Sequence, residues 1–453
     1  MIKSINPATE KVIAEYEPYS EEAVDNRLQM AQVAHQSWRG TTFADRSERL
    51  NRLADVLESR KDSAAQLMTA EMGKPITQAY AEVEKSAWVC RFYAEHGEEF
   101  LTSRTISTDA EKSYVRYDPL GVVLAVMPWN FPFWQVFRFA APAVMAGNAG
   151  LLKHASNVSG CALMIEELFT AADFPAGLFS TLLLPAERAE QLIDRPIIRA
   201  VTLTGSERAG RAIGKRAGAN LKKTVQELGG SDPFVVLADA DIGAAVEAAV
   251  TARTLNSGQS CIAAKRFILE QSIATEFTDA FVEKLMSLQM GDPAEEATEI
   301  GPLARQDLRE DLHSQVAKSV ETGAQLLCGG ELPAGPGFFY PPTVLTDVTS
   351  GMAAFDEETF GPVAALTVAS QEDEAIQFAN QTRFGLGASL WTSDLEKGHS
   401  LAAKIDAGAV FVNSFTKSDP RLPFGGIKDS GYGRELSSEG IREFVNVKTV
   451  SVG

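Results

Sequence analysis

The stretch Val122-Val-Leu-Ala-Val126 opens a series of short apolar runs that decides the fold. Segments with helical spacing separate these runs, which are four or five residues long. The later runs are Gly150-Leu-Leu-Lys153, Ser180-Thr-Leu-Leu-Leu184, Ala200-Val-Thr-Leu-Thr204 and Pro233-Phe-Val-Val-Leu237. The alternation of strand-like and helical segments predicts a parallel, doubly wound α/β sheet, in which nucleotides bind beyond the carboxyl ends of the strands.

A second α/β series begins near Lys265-Arg-Phe-Ile-Leu269 and reaches Gly408-Ala-Val-Phe-Val-Asn413, so two lobes with a cleft between them are expected. Before the first series, helical spacing follows a potential N-cap at Ser20 and predicts a helical N-terminal layer. Helical patterns resume at residue 44 and continue to about residue 100, broken near residues 73–75. The alternation Tyr114-Val-Arg-Tyr117 predicts an exposed strand that could pair with a neighbouring subunit.

Composition limits the classes of partner. The 453 residues include 42 Lys and Arg against 60 Asp and Glu, a net charge of −18 that repels nucleic acid and anionic membranes alike. The four cysteines and five histidines lack the spacing of a metal site, so no metal is expected. The start of the chain has no secretory pattern, and we expect a reduced, cytoplasmic protein with a small-molecule partner.

The segment Leu255-Asn-Ser-Gly-Gln-Ser-Cys261-Ile-Ala-Ala-Lys265 contains a candidate nucleophile. Small and polar neighbours, with Gly258 permitting close backbone approach, leave a thiol accessible to substrate. A lone cysteine is more often a packing residue. Here Gln226-Glu-Leu-Gly-Gly230 precedes it and offers Glu227 as an acid-base partner. Thr204-Gly205-Ser206, at a strand-to-helix junction, could receive a pyrophosphate, although it is not a G-x-G-x-x-G fingerprint.

Seven segments carry a family resemblance across the whole chain. They are Pro128-Trp-Asn-Phe-Pro132, Leu152-Lys153, Thr204-Gly205-Ser206, Glu227-Leu-Gly-Gly230, Gly258-Gln-Ser-Cys261, Glu358-Thr-Phe-Gly-Pro362 and Pro423-Phe-Gly-Gly426. In this order they resemble the aldehyde dehydrogenase superfamily. The pattern from Trp134 to Arg138, with Leu-Lys-His-Ala at 152–155, is most similar to bacterial NAD(P)-dependent succinate-semialdehyde dehydrogenases.

The resemblance implies an aldehyde dehydrogenase-like α/β fold with three parts. A Rossmann-type cofactor domain would comprise residues 1–104 and 119–228, and an α/β catalytic domain residues 229–428. Residues 105–118 and 429–453 would form a small β oligomerisation element. A homodimer and a homotetramer both remain open.

The resemblance also implies a reaction. Cys261 would attack an aldehyde, and the Asn130 amide with the Cys261 backbone N–H would stabilise the resulting oxyanion. Hydride transfer to the cofactor would leave a thioester, which water activated by Glu227 would hydrolyse. Relatives that transfer the acyl group to coenzyme A tend to lack this glutamate, so a free carboxylic acid is the expected product.

For the cofactor, the resemblance places Lys153 at the adenosine ribose, and Trp129, Thr204, Gly205, Ser206 and Leu228 along the nucleotide. Glu358 and Phe360 would lie at the nicotinamide ribose. NAD-selective relatives carry a glutamate three residues after the lysine, where this chain has Ser156. Serine removes a charge that would repel a 2′-phosphate, so NADP should be preferred and NAD also accepted.

Substrate choice is expected to rest on Arg138 and Ser418, which could hold a substrate carboxylate, in a funnel lined by Phe131, Trp134 and Phe424. Arg138 lies in an otherwise apolar helix, and an ion pair to an internal carboxylate is the alternative. A carboxylate clamp indicates succinate semialdehyde as the anionic aldehyde.

The alternatives within the class are glutarate semialdehyde and a neutral aliphatic or aromatic aldehyde. A catalytically silent nucleotide-binding scaffold and a cofactor-independent cysteine hydrolase are the other readings of the sequence.

Overall fold

A computed structural model describes residues 1–453 and contains eighteen strands in four sheets. The strands are β1 (Ile2–Ile5), β2 (Val12–Tyr16), β3 (Arg104–Ile106), β4 (Lys112–Pro119), β5 (Val122–Met127), β6 (Ala149–His154), β7 (Phe179–Thr181), β8 (Ile198–Thr204), β9 (Lys223–Glu227), β10 (Asp232–Val236), β11 (Ala264–Glu270), β12 (Gln325–Cys328), β13 (Thr343–Thr346), β14 (Val363–Ala369), β15 (Gly387–Trp391), β16 (Ala409–Val412), β17 (Gly431–Tyr432) and β18 (Val445–Val452).

Fifteen α-helices connect and cover these strands. They are α1 (Glu21–Trp38), α2 (Phe43–Ser59), α3 (Lys61–Met72), α4 (Ile76–Leu101), α5 (Trp134–Met145), α6 (Ser159–Ala171), α7 (Ala186–Gln191), α8 (Glu207–Ala219), α9 (Ile242–Thr254), α10 (Ala274–Met286), α11 (Gln306–Glu321), α12 (Ala353–Asp356), α13 (Glu372–Asn380), α14 (Leu395–Ala402) and α15 (Ser437–Arg442).

The first lobe is built on a six-stranded sheet in the order β17-β9-β8-β5-β6-β7. All neighbours are parallel except β17, which runs antiparallel to β9. The helices α5, α6 and α8 connect successive strands, and a core of 72 buried residues joins the sheet to the N-terminal helices. The expected doubly wound parallel sheet is confirmed. The run at 180–184 is a strand only in its first part, because β7 ends at residue 181.

The second lobe contains a seven-stranded sheet in the order β12-β13-β14-β11-β10-β15-β16. Its strands are parallel apart from the edge strand β12, and three smaller cores cover its faces. β11 begins three residues after Cys261, so this sheet fixes the position of the candidate nucleophile. Parallel strands place their carboxyl ends at one edge, and connections at that edge usually form the binding cleft.

The N-terminal helical layer also has the expected form. Ser20 caps α1 by accepting a hydrogen bond from the backbone N–H of Ala23. Thr42 and Asp45 form a reciprocal capping box at the start of α2. Gly73, with φ of 77°, ends α3, and the next helix, α4, begins at Ile76. The break therefore changes the chain direction and lays α4 against α2 and α5.

A separate three-stranded sheet has the order β18-β4-β3. The last strand, β18, pairs antiparallel with the whole of β4, from Val445 opposite Pro119 to Val452 opposite Lys112. The remainder of residues 429–453 lies elsewhere: β17 joins the six-stranded sheet, and α15 packs against α4. No helix combines the length and the apolar character that crossing a membrane would require.

Candidate active site

The segment before Cys261 has an unusual backbone. Asn256, Ser257 and Gly258 take φ values of 56°, 54° and 74° in succession. This left-handed region costs a residue with a Cβ about 1–2 kcal/mol. A Cβ on Gly258 would also lie 2.5 Å from the carbonyl carbon of Gly361. Only glycine fits at this position, as the sequence predicts.

Two buried cations hold this segment in place. Arg253 donates to the carbonyl oxygens of Gly258 at 2.7 Å and Val363 at 3.2 Å. The ammonium of Lys265 donates to the carbonyl oxygens of Ser260 at 3.1 Å and of Cys261 at 2.8 Å. Charged donors form stronger hydrogen bonds than neutral ones, so these contacts stabilise a strained turn. Neither residue is among those expected at the site from the sequence.

Cys261 lies on the turn that leads into β11 and reaches a cavity of about 180 Å³. The residue is partly exposed to the cavity, yet its depth in the cleft desolvates the thiolate. Burial raises the pKa of the Cys261 thiol to about 12, although Arg138 and Lys265 oppose the shift. The thiol is therefore protonated at neutral pH, and attack on an aldehyde requires a base.

Glu227, at the end of β9, is the candidate base. Its side chain is 1% exposed, and neither carboxylate oxygen has a hydrogen-bond partner. Burial and then the charge of Glu435 raise the pKa of Glu227 well above its usual range, with Arg138 opposing them. The backbone that follows Glu227 passes close to Cys261, since a Cβ on Gly230 would lie 2.5 Å from the Cys261 carbonyl oxygen.

Asn130 is buried beside the same turn, and its neighbours fix the orientation of its amide. The side-chain Nε2 of Gln135 donates to Asn130 Oδ1 at 3.1 Å, so Asn130 Nδ2 faces the turn and donates to the Gln259 carbonyl at 3.2 Å. The backbone N–H of Cys261 donates no hydrogen bond within the protein. Two donors can therefore face an oxygen bound next to Sγ. Gln135 was not expected from the sequence.

All five residues expected at the substrate line the Cys261 cavity: Phe131, Trp134, Arg138, Ser418 and Phe424. Each aromatic ring also lies under a cation. Lys74 lies 3.9 Å from the ring centre of Phe131, Lys85 4.5 Å from that of Trp134, and the Arg138 guanidinium 4.4 Å from that of Phe424. Cation–π contacts of this kind stabilise charged side chains against the apolar wall of the funnel.

Arg138 forms an ion pair with Glu435, and both side chains are about 95% buried or more. This is the internal ion pair that the sequence leaves open as the alternative to a substrate clamp. The Nη2 atom of Arg138 has no hydrogen-bond partner. The guanidinium therefore serves an internal carboxylate and still has a free donor. Glu435 was missed because nothing in the local sequence connects it to the helix α5.

Most of the residues expected at the cofactor surround the junction of the two lobes. Trp129 and Phe360 meet edge to face, with ring centres 5.7 Å apart. Glu358 accepts a hydrogen bond from the Gly230 N–H at 3.0 Å, and a Cβ on Gly229 would lie 2.6 Å from its Oε2. Leu228 packs against Gly210 of α8.

The junction of β8 and α8 has open backbone at the helix start. Thr204 ends β8, the N–H of Gly205 donates to the Glu227 carbonyl at 3.0 Å, and Ser206 caps α8. A Cβ on Gly205 would meet only one atom within 4 Å, so a ligand can approach the backbone here. The helix dipole favours an anion at this end.

Lys153 is the penultimate residue of β6, and Ser156 follows the carboxyl end of that strand. Lys153 is buried and forms no ion pair, and burial lowers the pKa of its ammonium, with Glu187 opposing. Ser156 is exposed. His154, between them, is buried and contacts the carbonyl oxygens of Met127 and Pro132, and burial lowers its pKa to about 4. An unpaired buried cation beside an exposed serine fits a phosphate-bearing ribose, while the neutral His154 has a packing role.

Comparison with known proteins assigns the family. The model of the aldehyde dehydrogenase family matches residues 1–450. The chain belongs to the aldehyde dehydrogenase family. This aldehyde dehydrogenase is 54% identical, over 99% of both chains, to the probable NADP(+) succinate-semialdehyde dehydrogenase of Synechocystis sp.. It is 49% identical, over 99% of its own length and 97% of the relative's, to the NAD(P)+ succinate semialdehyde dehydrogenase of Escherichia coli.

Solved structures agree with the fold. The succinic semialdehyde dehydrogenase of Streptococcus pyogenes, in complex with NADP+, superposes with a TM-score of 0.98 and 37% identity over 100% of both chains. The aldehyde dehydrogenase-like fold expected from the sequence is confirmed.

The turn before Cys261 generates a prediction. The substitution Gly258→Ala should lower the free energy of unfolding by about 2 kcal/mol or more, from the positive φ and the contact with Gly361, and should abolish most dehydrogenase activity. Urea unfolding and kcat measure the two effects. Gly218→Ala in α8 is the matched control, because a Cβ there meets nothing within 4 Å. Equal behaviour of the two variants would contradict the account of the turn.

Proposed function

We propose that this aldehyde dehydrogenase oxidises succinate semialdehyde to succinate with NADP as the preferred cofactor. The observation that carries the proposal is the cavity at Cys261, which has the nucleophile among its lining residues together with cationic side chains and Ser418. An aldehyde that bears a second, anionic end fits such a cavity, because the cations bind the carboxylate while the carbonyl meets the thiol. The names of the relatives in Synechocystis and Escherichia coli support the same substrate.

In the first step, the Cys261 thiol transfers its proton to Glu227, directly or through water, and Sγ bonds to the aldehyde carbon. The raised pKa of the thiol makes a nearby base necessary, and the raised pKa of Glu227 makes that carboxylate a stronger base than an exposed one. The carbonyl oxygen becomes an oxyanion. Asn130 Nδ2 and the Cys261 N–H stabilise it, and each such donor typically lowers the barrier by about 3 kcal/mol.

NADP, when bound, would supply the hydride acceptor for oxidation of the adduct on Cys261 to a thioester. The residues that would hold it are Lys153 and Ser156 at the phosphate-bearing ribose, the start of α8 at the pyrophosphate, and Glu358 with Phe360 near the nicotinamide ribose. Trp129, Thr204, Gly205, Ser206 and Leu228 complete this set.

Hydrolysis of the thioester needs a water molecule that has lost a proton. Glu227 first releases to solvent the proton that it took from the thiol. It then removes a proton from water as the water oxygen bonds to the acyl carbon, and the Cys261 sulfur leaves as a thiolate and takes that proton back from Glu227. The pair of Asn130 and the Cys261 N–H stabilises the second oxyanion as it did the first. Succinate is the product, and the free carboxylic acid makes the overall oxidation effectively irreversible.

The three parts of the chain expected from the sequence have separate proposed functions. We propose that residues 1–104 and 119–228 bind the cofactor, that residues 229–428 supply the nucleophile, and that residues 105–118 with the end of the chain mediate assembly. The outer edge of β18 is unpaired and bears the exposed Val447 and Val452, which favours pairing between copies in a homodimer or homotetramer. A cytoplasmic site of action suits a nucleophile that must remain reduced.

The proposed substrate is tested with a panel of aldehydes and both cofactors. We expect kcat/KM for succinate semialdehyde to exceed that for butanal, a neutral aldehyde of equal length, by at least about tenfold, because a charge-assisted hydrogen bond contributes that much. Glutarate semialdehyde tests the length of the cavity. Equal kcat/KM values for succinate semialdehyde and butanal would refute the anionic substrate. If no aldehyde of the panel led to formation of NADPH or NADH, the dehydrogenase activity itself would be refuted.

Replacing the base gives a second test. Glu227→Gln should lower steady-state kcat about 100-fold to 10,000-fold, because both the thiol and water then lack their base. Hydrolysis should be slowed more than attack by the intrinsically nucleophilic thiol, so the acylated enzyme should accumulate over many minutes. In the wild type, kcat/KM for butanal should rise with pH, since only the ionised form of Glu227 acts as a base and its pKa is raised. Steady-state NADPH absorbance measures kcat and the pH profile of kcat/KM, and rapid mixing detects the accumulated acylated enzyme. A Glu227→Gln enzyme with wild-type kcat, or a wild type whose kcat/KM falls with pH, would contradict this role.

Cofactor preference depends on the charge at position 156. Ser156→Glu should lower kcat/KM for NADP at least about tenfold, because a carboxylate repels the 2′-phosphate, and should preserve or raise kcat/KM for NAD. Ser156→Gln is the matched control, with the same size and no charge. If the glutamine variant loses NADP as strongly as the glutamate variant, size rather than charge decides the preference.

A further inference from the structure

A polar stripe on α4 forms one wall of the Cys261 cavity. Gln78, Ala81, Glu82 and Lys85 recur at spacings of three and four residues, so they share one face of the helix, and all four line the cavity. Gln78 and Glu82 have partners within the protein. Gln78 Oε1 accepts from the N–H of Asn256 at 2.6 Å, and Glu82 Oε1 accepts from the N–H of Trp134 at 3.0 Å. Lys85 is the remaining polar member.

The Lys85 ammonium faces the end of the cavity that Ser418 occupies. It donates a hydrogen bond to Ser418 Oγ at 2.9 Å and lies 4.5 Å from the centre of the Trp134 ring. Both contacts are with neutral groups. The side chain is half-buried, so water compensates its charge only in part.

The other buried cations of the cavity have internal counter-ions. Lys74 pairs with Glu82, and Arg138 pairs with Glu435. Lys85 forms no ion pair. The nearest acidic residue along the neighbouring loop, Asp419, is bound by both guanidinium arms of Arg421, at 2.9 and 2.6 Å. The positive charge of Lys85 is therefore the one in the buried wall that an incoming carboxylate can neutralise.

The electrostatic surroundings agree with an uncompensated charge. Burial and then the neighbouring charge of Arg138 lower the pKa of Lys85 to about 8, and Lys417 acts in the same direction. Asp419 and Glu82 oppose the shift without cancelling it. A carboxylate bound at the ammonium would favour its protonated form.

We propose that Lys85, together with Ser418, is a ligand of the substrate carboxylate, while the guanidinium of Arg138 is engaged by the buried carboxylate of Glu435. This inference rests on the proposed function, because it assumes an anionic aldehyde. It adds a specificity-determining residue from α4, a helix of the N-terminal layer that supplies no other expected site residue. The free Nη2 of Arg138 then adds a second, weaker contact.

The test compares succinate semialdehyde with butanal in the wild type, Lys85→Met and Lys85→Arg. Methionine keeps the length of the side chain and its contact with Trp134 but removes the charge. We expect Lys85→Met to raise KM for succinate semialdehyde about 10-fold to 100-fold, with kcat for both aldehydes and KM for butanal within about twofold of the wild type. Lys85→Arg should restore most of the binding.

Lys417→Met is the matched control. Lys417 also lines the cavity but is exposed, so its removal tests whether any nearby positive charge suffices. We expect KM for succinate semialdehyde to change by less than about threefold in this variant, because water screens an exposed charge. An equal effect in both methionine variants would overturn direct binding by Lys85.

The wild type provides an independent measurement that needs no variant. As pH rises through about 8, Lys85 loses its proton, so KM for succinate semialdehyde should increase while KM for butanal stays constant. Ratios of the two KM values remove effects on Cys261 and Glu227 that both substrates share. A pH-independent ratio, or equal losses with both aldehydes in Lys85→Met, would refute the inference. A wild type that does not prefer succinate semialdehyde would instead refute the proposed function.

Discussion

Arg138 provides one buried positive charge for two buried carboxylates, and the active site depends on this imbalance. It pairs directly with Glu435, while Glu227 has no hydrogen bond to either oxygen. Burial raises the pKa values of both carboxyl groups, and the charge of Arg138, joined at Glu227 by that of Arg434, opposes the shift without cancelling it. Glu227 therefore takes up a proton more readily than an exposed glutamate, as a base for the thiol and for hydrolytic water requires.

Most of the other cations around the cavity also have structural roles. Arg253 and Lys265 bind backbone carbonyls and hold the strained turn before Cys261, and Lys74 and Arg138 neutralise internal glutamates. Rigid placement matters because the thiol and its oxyanion donors must keep their mutual geometry. An external carboxylate must therefore be bound by a cation that has no internal counter-ion, and in this cavity Lys85 is such a cation.

The sequence predicted the fold, whereas the residues that support the candidate site were missed. The sheet, the helical layer and the turn at Gly258 follow from local periodicity and backbone requirements, which a single sequence contains. The pairing of Arg138 with Glu435, and of Lys85 with Ser418, joins residues far apart in the chain that have no local pattern in common. A polar stripe at helical spacing in α4 was the one available signal for Lys85. The roles of the catalytic, cofactor and substrate residues stay predictions.

The central claim is that Cys261 forms a covalent succinyl thioester whose hydrolysis needs Glu227. The most direct measurement is intact-protein and peptide mass spectrometry of the Glu227→Gln enzyme, quenched in acid after mixing with succinate semialdehyde and NADP. The account predicts a stoichiometric succinyl adduct confined to the peptide that contains Cys261, and none when NADP is omitted. An unmodified enzyme that has produced NADPH, or an adduct on Cys90, Cys161 or Cys328, would contradict it.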